Sequence, residues 1–144
     1  IHGTSHTAMK ILVPVRYPLT KNSKSTVARA LEMKEEERAE DGEAELVILH
    51  VKLFQENGRV SRKELRREVE SEFGIGEASY VVRRGFLVEE TILSEAANQG
   101  ADVIVIGRTR SGKLRRALRR LIGNDPDVEG FLRQNLDVRI EVVG

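Results

Sequence analysis

Short apolar runs alternate along the chain with longer segments whose apolar residues recur every three or four positions. Lys10–Val15 (KILVPV), Glu45–Val51 (ELVILHV) and Ala101–Gly107 (ADVIVIG) are near-continuous apolar stretches rich in Val, Ile and Leu. That pattern suits strands buried on both faces of a sheet. Ala78–Val82 (ASYVV) is a shorter member of the set, and Asp137–Val143 (DVRIEVV) alternates apolar and polar residues as a half-exposed edge strand would. Between them the spacing predicts helices. The first covers Ser23–Ala39, with Val27, Ala30, Leu31 and Lys34 at helical spacing, and ends at Asp41-Gly42. The second covers Ser61–Phe73, through Leu65, Val69 and Phe73, after an Asn57-Gly58 turn and before Gly74. The third covers Phe86–Asn98, through Val88, Ile92 and Ala96, and Gly100 closes it. A fourth, Gly112–Ile122, is basic and amphipathic, and Asp125-Pro126 opens a short last helix to about Asn135.

The sum is βαβαβαβαβ. Strict alternation with buried strands implies a parallel sheet covered on both faces through right-handed crossovers. A chain of 144 residues fits one such domain, assigned to residues 9–144. Residues 1–8 (IHGTSHTA) precede the first apolar run, lack a signal peptide's basic start and apolar stretch, and read as a leftover of recombinant expression.

Composition narrows the chemistry. Charged residues make up 33% of the chain and hydrophobic ones 40%, a globular balance, and no apolar run approaches the roughly 20 residues of a membrane span. With no cysteine, disulfides, thiolate chemistry and cysteine-ligated metals are excluded; the absence says little about compartment but is compatible with the expected cytoplasmic location. His50 is the only histidine outside the leading tail, and it reads as a hydrogen-bonded structural residue at a strand end. With the leading tail set aside, Ser23, Ser25 and Ser111 have no histidine motif beside them, and the Glu35–Glu37 run lacks a metal-ligand partner, so no catalytic or metal residue is assigned.

Net charge is +1, yet the charge is segregated. Eight acids fall between Glu32 and Glu45 against Lys34 and Arg38, whereas Arg108–Arg120 holds seven bases and no acid.

Taken together, ILVPV at 11–15, LVILHV at 46–51, the approach to the third helix at Gly85–Glu90 and ADVIVIG at 101–107 resemble the universal stress protein (UspA-like) family from Met9 to Gly144. The resemblance implies a Rossmann-like, adenine nucleotide alpha hydrolase-like sheet of order 3-2-1-4-5. It also implies a homodimer paired through the last strand, and ATP binding in many members with no catalytic machinery common to the family. That order sets the loops after strands 1 and 4 side by side, where open α/β sheets bind ligands. Val15 and Arg16 should therefore face Gly107, Arg108, Thr109, Arg110, Ser111, Gly112 and Lys113 across one crevice.

The family's ATP-binding pattern is glycine, two residues, glycine, nine residues, then glycine with Ser or Thr. Gly107 fits the first position, but the next is Arg110. Gly123 lies 16 residues after Gly107, where the pattern requires 13, and is followed by Asn124. The acidic residue that the family places after its first strand is replaced by Arg16. These departures argue against ordinary ATP binding. Gly107–Lys113 also matches the P-loop spacing G-x-x-x-x-G-K, but Leu114 stands where Ser or Thr would hold Mg²⁺. Either way, Arg108, Thr109, Arg110, Ser111 and Lys113 open a helix whose N-terminus is partly positive, a setting for ATP or another phosphate-bearing ligand, the alternative being a merely solvated strand-to-helix connection.

The expected function is thus a non-catalytic stress-response binding module. Two alternatives are a weak nucleotide hydrolase, and a nucleic-acid or protein scaffold using Arg115, Arg116, Arg119 and Arg120 on the basic helix 113–120. Nucleic acid is less favoured, because no Trp and only two Tyr and four Phe are available for base stacking. That basic face reads instead as solvated, or as paired with the acidic first helix or a partner subunit. The last strand should expose unpaired backbone groups, and a twofold partner strand would cover Val138, Ile140 or Val142.

Overall fold

The computed structural model describes residues 8–75, 77–124 and 138–144, with side chains at 121–124 left out. Its elements run β1 (Met9–Val15), α1 (Lys21–Ala39), β2 (Ala44–Leu53), α2 (Arg62–Phe73), β3 (Ala78–Gly85), α3 (Val88–Gln99), β4 (Val103–Gly107), α4 (Arg108–Asn124) and β5 (Arg139–Val143). The strands form one parallel sheet of order β3-β2-β1-β4-β5. The expected leading tail, apart from Ala8, and the expected last helix at 126–135 lie outside the described residues.

Period-two alternation in the strands builds two cores. Ile11, Val13, Leu46, Ile48, Val103 and Val105 face one side with Val27 and Ala30 of α1 and Leu65 and Val69 of α2. Leu12, Val47, Leu49, Ile104 and Ile106 face the other, against Ile92 and Ala96 of α3 and Leu114 and Ala117 of α4. Both faces are covered, which is why the strands carry no polar alternation of their own. Each fully buried Leu or Ile contributes about 1.5–3 kcal/mol of transfer free energy, so the central strands dominate stability.

Local chemistry sets the helix ends. The Thr20 side chain accepts from Ser23 N at the start of α1. Ser61 and Glu64 form a reciprocal capping box on α2. Gly74 and Gly100 close α2 and α3 at φ 67° and 65°, a left-handed conformation that favours glycine.

Three expectations change. Helix α4 starts at Arg108 rather than Gly112, directly after β4. The chain therefore has no glycine-rich loop between strand and helix. Phe86, read as the start of α3, precedes it and is 73% exposed. The acidic α1 and basic α4 pack on opposite faces of the sheet, so they do not neutralise one another. The acids of α1 find Arg29 and Arg38, while Arg120 of α4 comes within 3.9 Å of Glu90 on α3.

At the sheet edge, Val138 and Ile140 pack inward against the α3–α4 core, and Val143 packs against the other core. Their own subunit covers them in part. Among the described residues of β5, Val142, 37% exposed, is the most open apolar side chain toward a partner strand. Among the described residues no helix is long and apolar enough to cross a membrane.

Candidate functional site

Order 3-2-1-4-5 reverses direction between β1 and β4, and a crevice of about 790 Å³ opens over the strand ends there. Val15, Arg16 and Tyr17 supply one wall, and Gly107, Arg108, Thr109, Arg110 and Lys113 supply the other. Two loops distant in sequence are thus joined in one site, as the switch-point argument requires.

The first wall is braced from below. The backbone N–H of Arg16 donates to Ser23 Oγ at 2.8 Å, and that hydroxyl also accepts from Thr20 at 3.1 Å. The start of α1 thereby fixes the loop leaving β1. His50, at 8% exposure, lines the same crevice. Its Nδ1 donates to the Val15 carbonyl at 3.1 Å, which requires the proton on Nδ1. Tyr17 meets the ring edge-on, with centroids 6.2 Å apart. The strand-end histidine is hydrogen-bonded as expected, and it is also part of the crevice floor, which the sequence did not signal.

The second wall is the first two turns of α4. The leading N–H groups of a helix have no partner within it and, with the aligned peptide dipoles, carry about half a positive charge. Carboxylates usually occupy such a position. Here the first turn has no acid, while Arg108, Arg110 and Lys113 all come from this end.

Arg110 is the most constrained of these. Its Nη1 donates to Glu89 Oε2 of α3 at 3.1 Å, with the two side chains only 26% and 22% exposed. Burial lowers the guanidinium's proton affinity, Glu89 raises it, and the like charge of Arg16 lowers it again. The two arginines therefore sense each other across the crevice, where Glu89 pairs with Arg110 and Glu56 lines another part of the wall. Among the described residues Arg16, Arg108 and Lys113 have no carboxylate within ion-pair distance.

Other residues named from the sequence are placed elsewhere. Ser111 is buried, and its hydroxyl donates to the Arg108 carbonyl at 2.7 Å, so it is occupied within the helix. Gly112 is exposed on α4 but does not line the crevice. Gly123 and Asn124 end α4, and at 1.5 Å per residue they lie roughly 23 Å along the helix axis from Arg108. They cannot serve as the closing Gly-Ser of the nucleotide pattern. The P-loop match fails for the same reason. A P-loop curls around phosphate before its helix begins, whereas Arg108–Lys113 is already helical, leaving only the leading N–H groups to offer. Among the described residues no group of three or more His, Asp or Glu converges as a metal site would.

Comparison with solved structures places this geometry among known folds. The chain superposes on "Universal stress protein UspA from Lactobacillus plantarum" with a TM-score of 0.58 and 15% identity, covering 94% of this chain and 97% of that one. A hypothetical protein solved as a structural-genomics test case gives 0.51 and 16%, covering 93% and 94%. A universal stress protein in complex with cAMP gives 0.48 and 18%, covering 95% and 98%, too loose a match to transfer a ligand. A search of curated protein sequences returned no match. These likenesses support the fold. Lineage comes from the sequence, where the model described as "Universal stress protein family" matches residues 7–124. A match over most of the chain, on a sheet of this order with its crevice at the β1–β4 switch point, makes the chain a member of the universal stress protein family.

Proposed function

We propose that this protein is a non-catalytic binding module whose β1–β4 crevice takes a small phosphate-bearing ligand. One observation carries the reading. Four cations from two separate elements converge on the acid-free start of α4, and among the described residues only Glu89 lies within ion-pair distance of any of them, with Glu56 elsewhere on the crevice wall. An anion there relieves repulsion between Arg16 and Arg110 and accepts hydrogen bonds from the leading N–H groups. A nucleotide is the natural class, because 790 Å³ exceeds what phosphate alone needs and the Tyr17–His50 pair offers ring surface at the β1 end. Arg16 changes the terms of that binding. It adds a second cationic end to the crevice, favouring ligands with more than one anionic group over a plain ribose.

The test is a thermal-shift titration with Mg-ATP, ATP without metal, AMP, cyclic AMP, pyrophosphate and inorganic phosphate. A ligand that binds only the folded state raises Tm by mass action, by about 2.7 kcal/mol of stability at a hundredfold excess over Kd. The proposal expects a shift that grows with ligand charge and falls with salt. No shift with any of the six, or steady phosphate release from ATP above a protein-free control, contradicts it.

A homodimer through β5 and a cytoplasmic location belong to the same proposal. The dimer rests on the open outer edge of β5 and on exposed Val142, while the location rests on the family alone.

A further inference from the structure

Among the described residues, three of the four large hydrophobic residues that are exposed gather at one corner, far from β5. They are Phe54 at 46%, Phe86 at 73% and Leu87 at 52% exposure. Phe54 follows β2, and Phe86 and Leu87 follow β3, so the neighbouring ends of two paired strands deliver them together. The Phe54 and Phe86 rings lie 4.6 Å apart at 47°. Phe54 N donates to Gly85 O at 2.9 Å, tying the two connections to each other. The patch is thus held in place, and a rigid exposed apolar patch marks an interaction surface.

Beside it, a pocket of about 350 Å³ opens between β3 and α3, lined by Arg83, Arg84, Phe86, Leu87, Thr91 and Ser94 among others. β3 is also the outer strand on this side of the sheet. An open strand edge, a pocket beside it and an apolar rim at its end suit an extended chain better than a helix. Added along β3, such a chain would point alternate side chains toward the pocket.

Charge selects the occupant's chemistry. The Arg84 guanidinium sits 5.2 Å from the Phe54 ring centroid and, among the described residues, has no carboxylate within ion-pair distance. The nearby acids are engaged. Glu95 accepts from Arg83 at 2.8 Å and Gln99 at 2.6 Å, Glu90 lies 3.9 Å from Arg120, and Glu56 accepts from Leu53 N. A cation over an exposed ring suits a carboxylate beside an apolar side chain. Single-stranded nucleic acid fits less well. Arg83 and Arg84 are offset by Glu90 and Glu95 around the pocket, so no basic track leads away for a phosphate backbone.

We propose that this corner docks an extended peptide segment of a partner protein, with a large apolar side chain in the β3–α3 pocket and an adjacent Asp or Glu on Arg84. The site is separate from the phosphate crevice and would let a ligand-binding module report to a second protein.

A heptapeptide phage-display selection on the full chain tests this, followed by calorimetric titration of the enriched peptide. The expected enrichment is an acidic residue next to Phe, Tyr, Trp or Leu. Phe86→Ser should weaken the selected peptide at least tenfold, and Arg84→Glu should do the same with a loss of salt dependence. Both positions are exposed, and circular dichroism checks that each variant keeps its fold. Binding that survives both substitutions but is lost in Arg16→Ala/Lys113→Ala would place the acidic peptide in the crevice and overturn the proposal. So would a failure to enrich any sequence, a basic consensus, a dimer dispersed by Phe86→Ser, or oligothymidylate binding lost in that variant.

Discussion

Glu89→Gln separates two opposite consequences of one ion pair. Among the described residues the Glu89 carboxylate is the only one within ion-pair distance of Arg110 at the start of α4, at 3.1 Å and with both side chains about three-quarters buried. Removing it leaves a half-desolvated guanidinium beside Arg16. Fully buried pairs cost 3–5 kcal/mol to break and exposed ones less than 1, so this site should lose about 1–2 kcal/mol. For a domain of this size that corresponds to a Tm lower by about 3–6 °C. Anion binding should move the other way. With a ligand phosphate about 6 Å from the lost carboxylate and an effective dielectric of roughly 40, removing the repulsion is worth about 1.4 kcal/mol, or about tenfold in affinity. The assay is a paired titration of wild type and Glu89→Gln with inorganic pyrophosphate at low salt, following both Tm and heat of binding. The expected pattern is a variant that starts less stable, binds pyrophosphate about tenfold tighter and recovers its lost stability as the site fills. A variant that binds more weakly than wild type would show that Glu89 positions Arg110 for the ligand rather than competing with it, and would refute the electrostatic reasoning.

Other outcomes follow from side chains outside the crevice. The Tyr80 hydroxyl is buried and, among the described residues, has no hydrogen-bond partner, so Tyr80→Phe should leave stability unchanged or raise it by up to about 1 kcal/mol in urea unfolding. Burial, with Glu70 second, also pushes the Tyr80 phenol above its ordinary value of about 10. Its neutral form is therefore favoured in the folded state, and stability should fall as pH climbs past about 10 in wild type, with a shallower fall in the Phe variant. Glu95 is 1% exposed and held by Arg83 and Gln99, so Arg83→Leu should cost about 2 kcal/mol, and Arg83→Leu/Glu95→Leu should regain most of it in a double-mutant cycle. Val142→Lys should convert a dimer to a monomer in sedimentation with circular dichroism unchanged, whereas Ile140→Lys should destabilise the fold itself because Ile140 packs inward.

Much of the fold was legible because its strands are buried on both faces. ILVPV, LVILHV and VIVIG can sit only inside a covered sheet, and the intervening periodicity supplied helices for both sides. The glycines at 74 and 100 marked the ends of α2 and α3 to within a residue or two. Legibility failed where local signals conflicted with tertiary ones. Arg108–Ser111 has two flanking glycines, two polar residues and no acid at its start, so it reads as a loop, yet it folds as helix. Leu114 and Ala117, drawn into the core on α4, supply a reason the sequence read too late in the helix. The same error enlisted Ser111, whose hydroxyl a helix turns back on itself. At β5, alternation alone could not tell which apolar residues the subunit would cover with its own helices. Glu95 and Glu89 were missed because each is defined by an arginine on another element, and pattern along the chain does not reveal pairing across it.

The central claim is that the loops leaving β1 and β4 form one anion site. It is tested most directly by a ¹H–¹⁵N correlation titration of the full chain with pyrophosphate and then AMP. The account predicts saturable shifts clustered at the amides of Arg16, Tyr17 and Arg108–Ser111, lost together in Arg16→Ala/Lys113→Ala. Shifts confined to the outer face of α4 around Arg115–Arg120, or none at all, would contradict it.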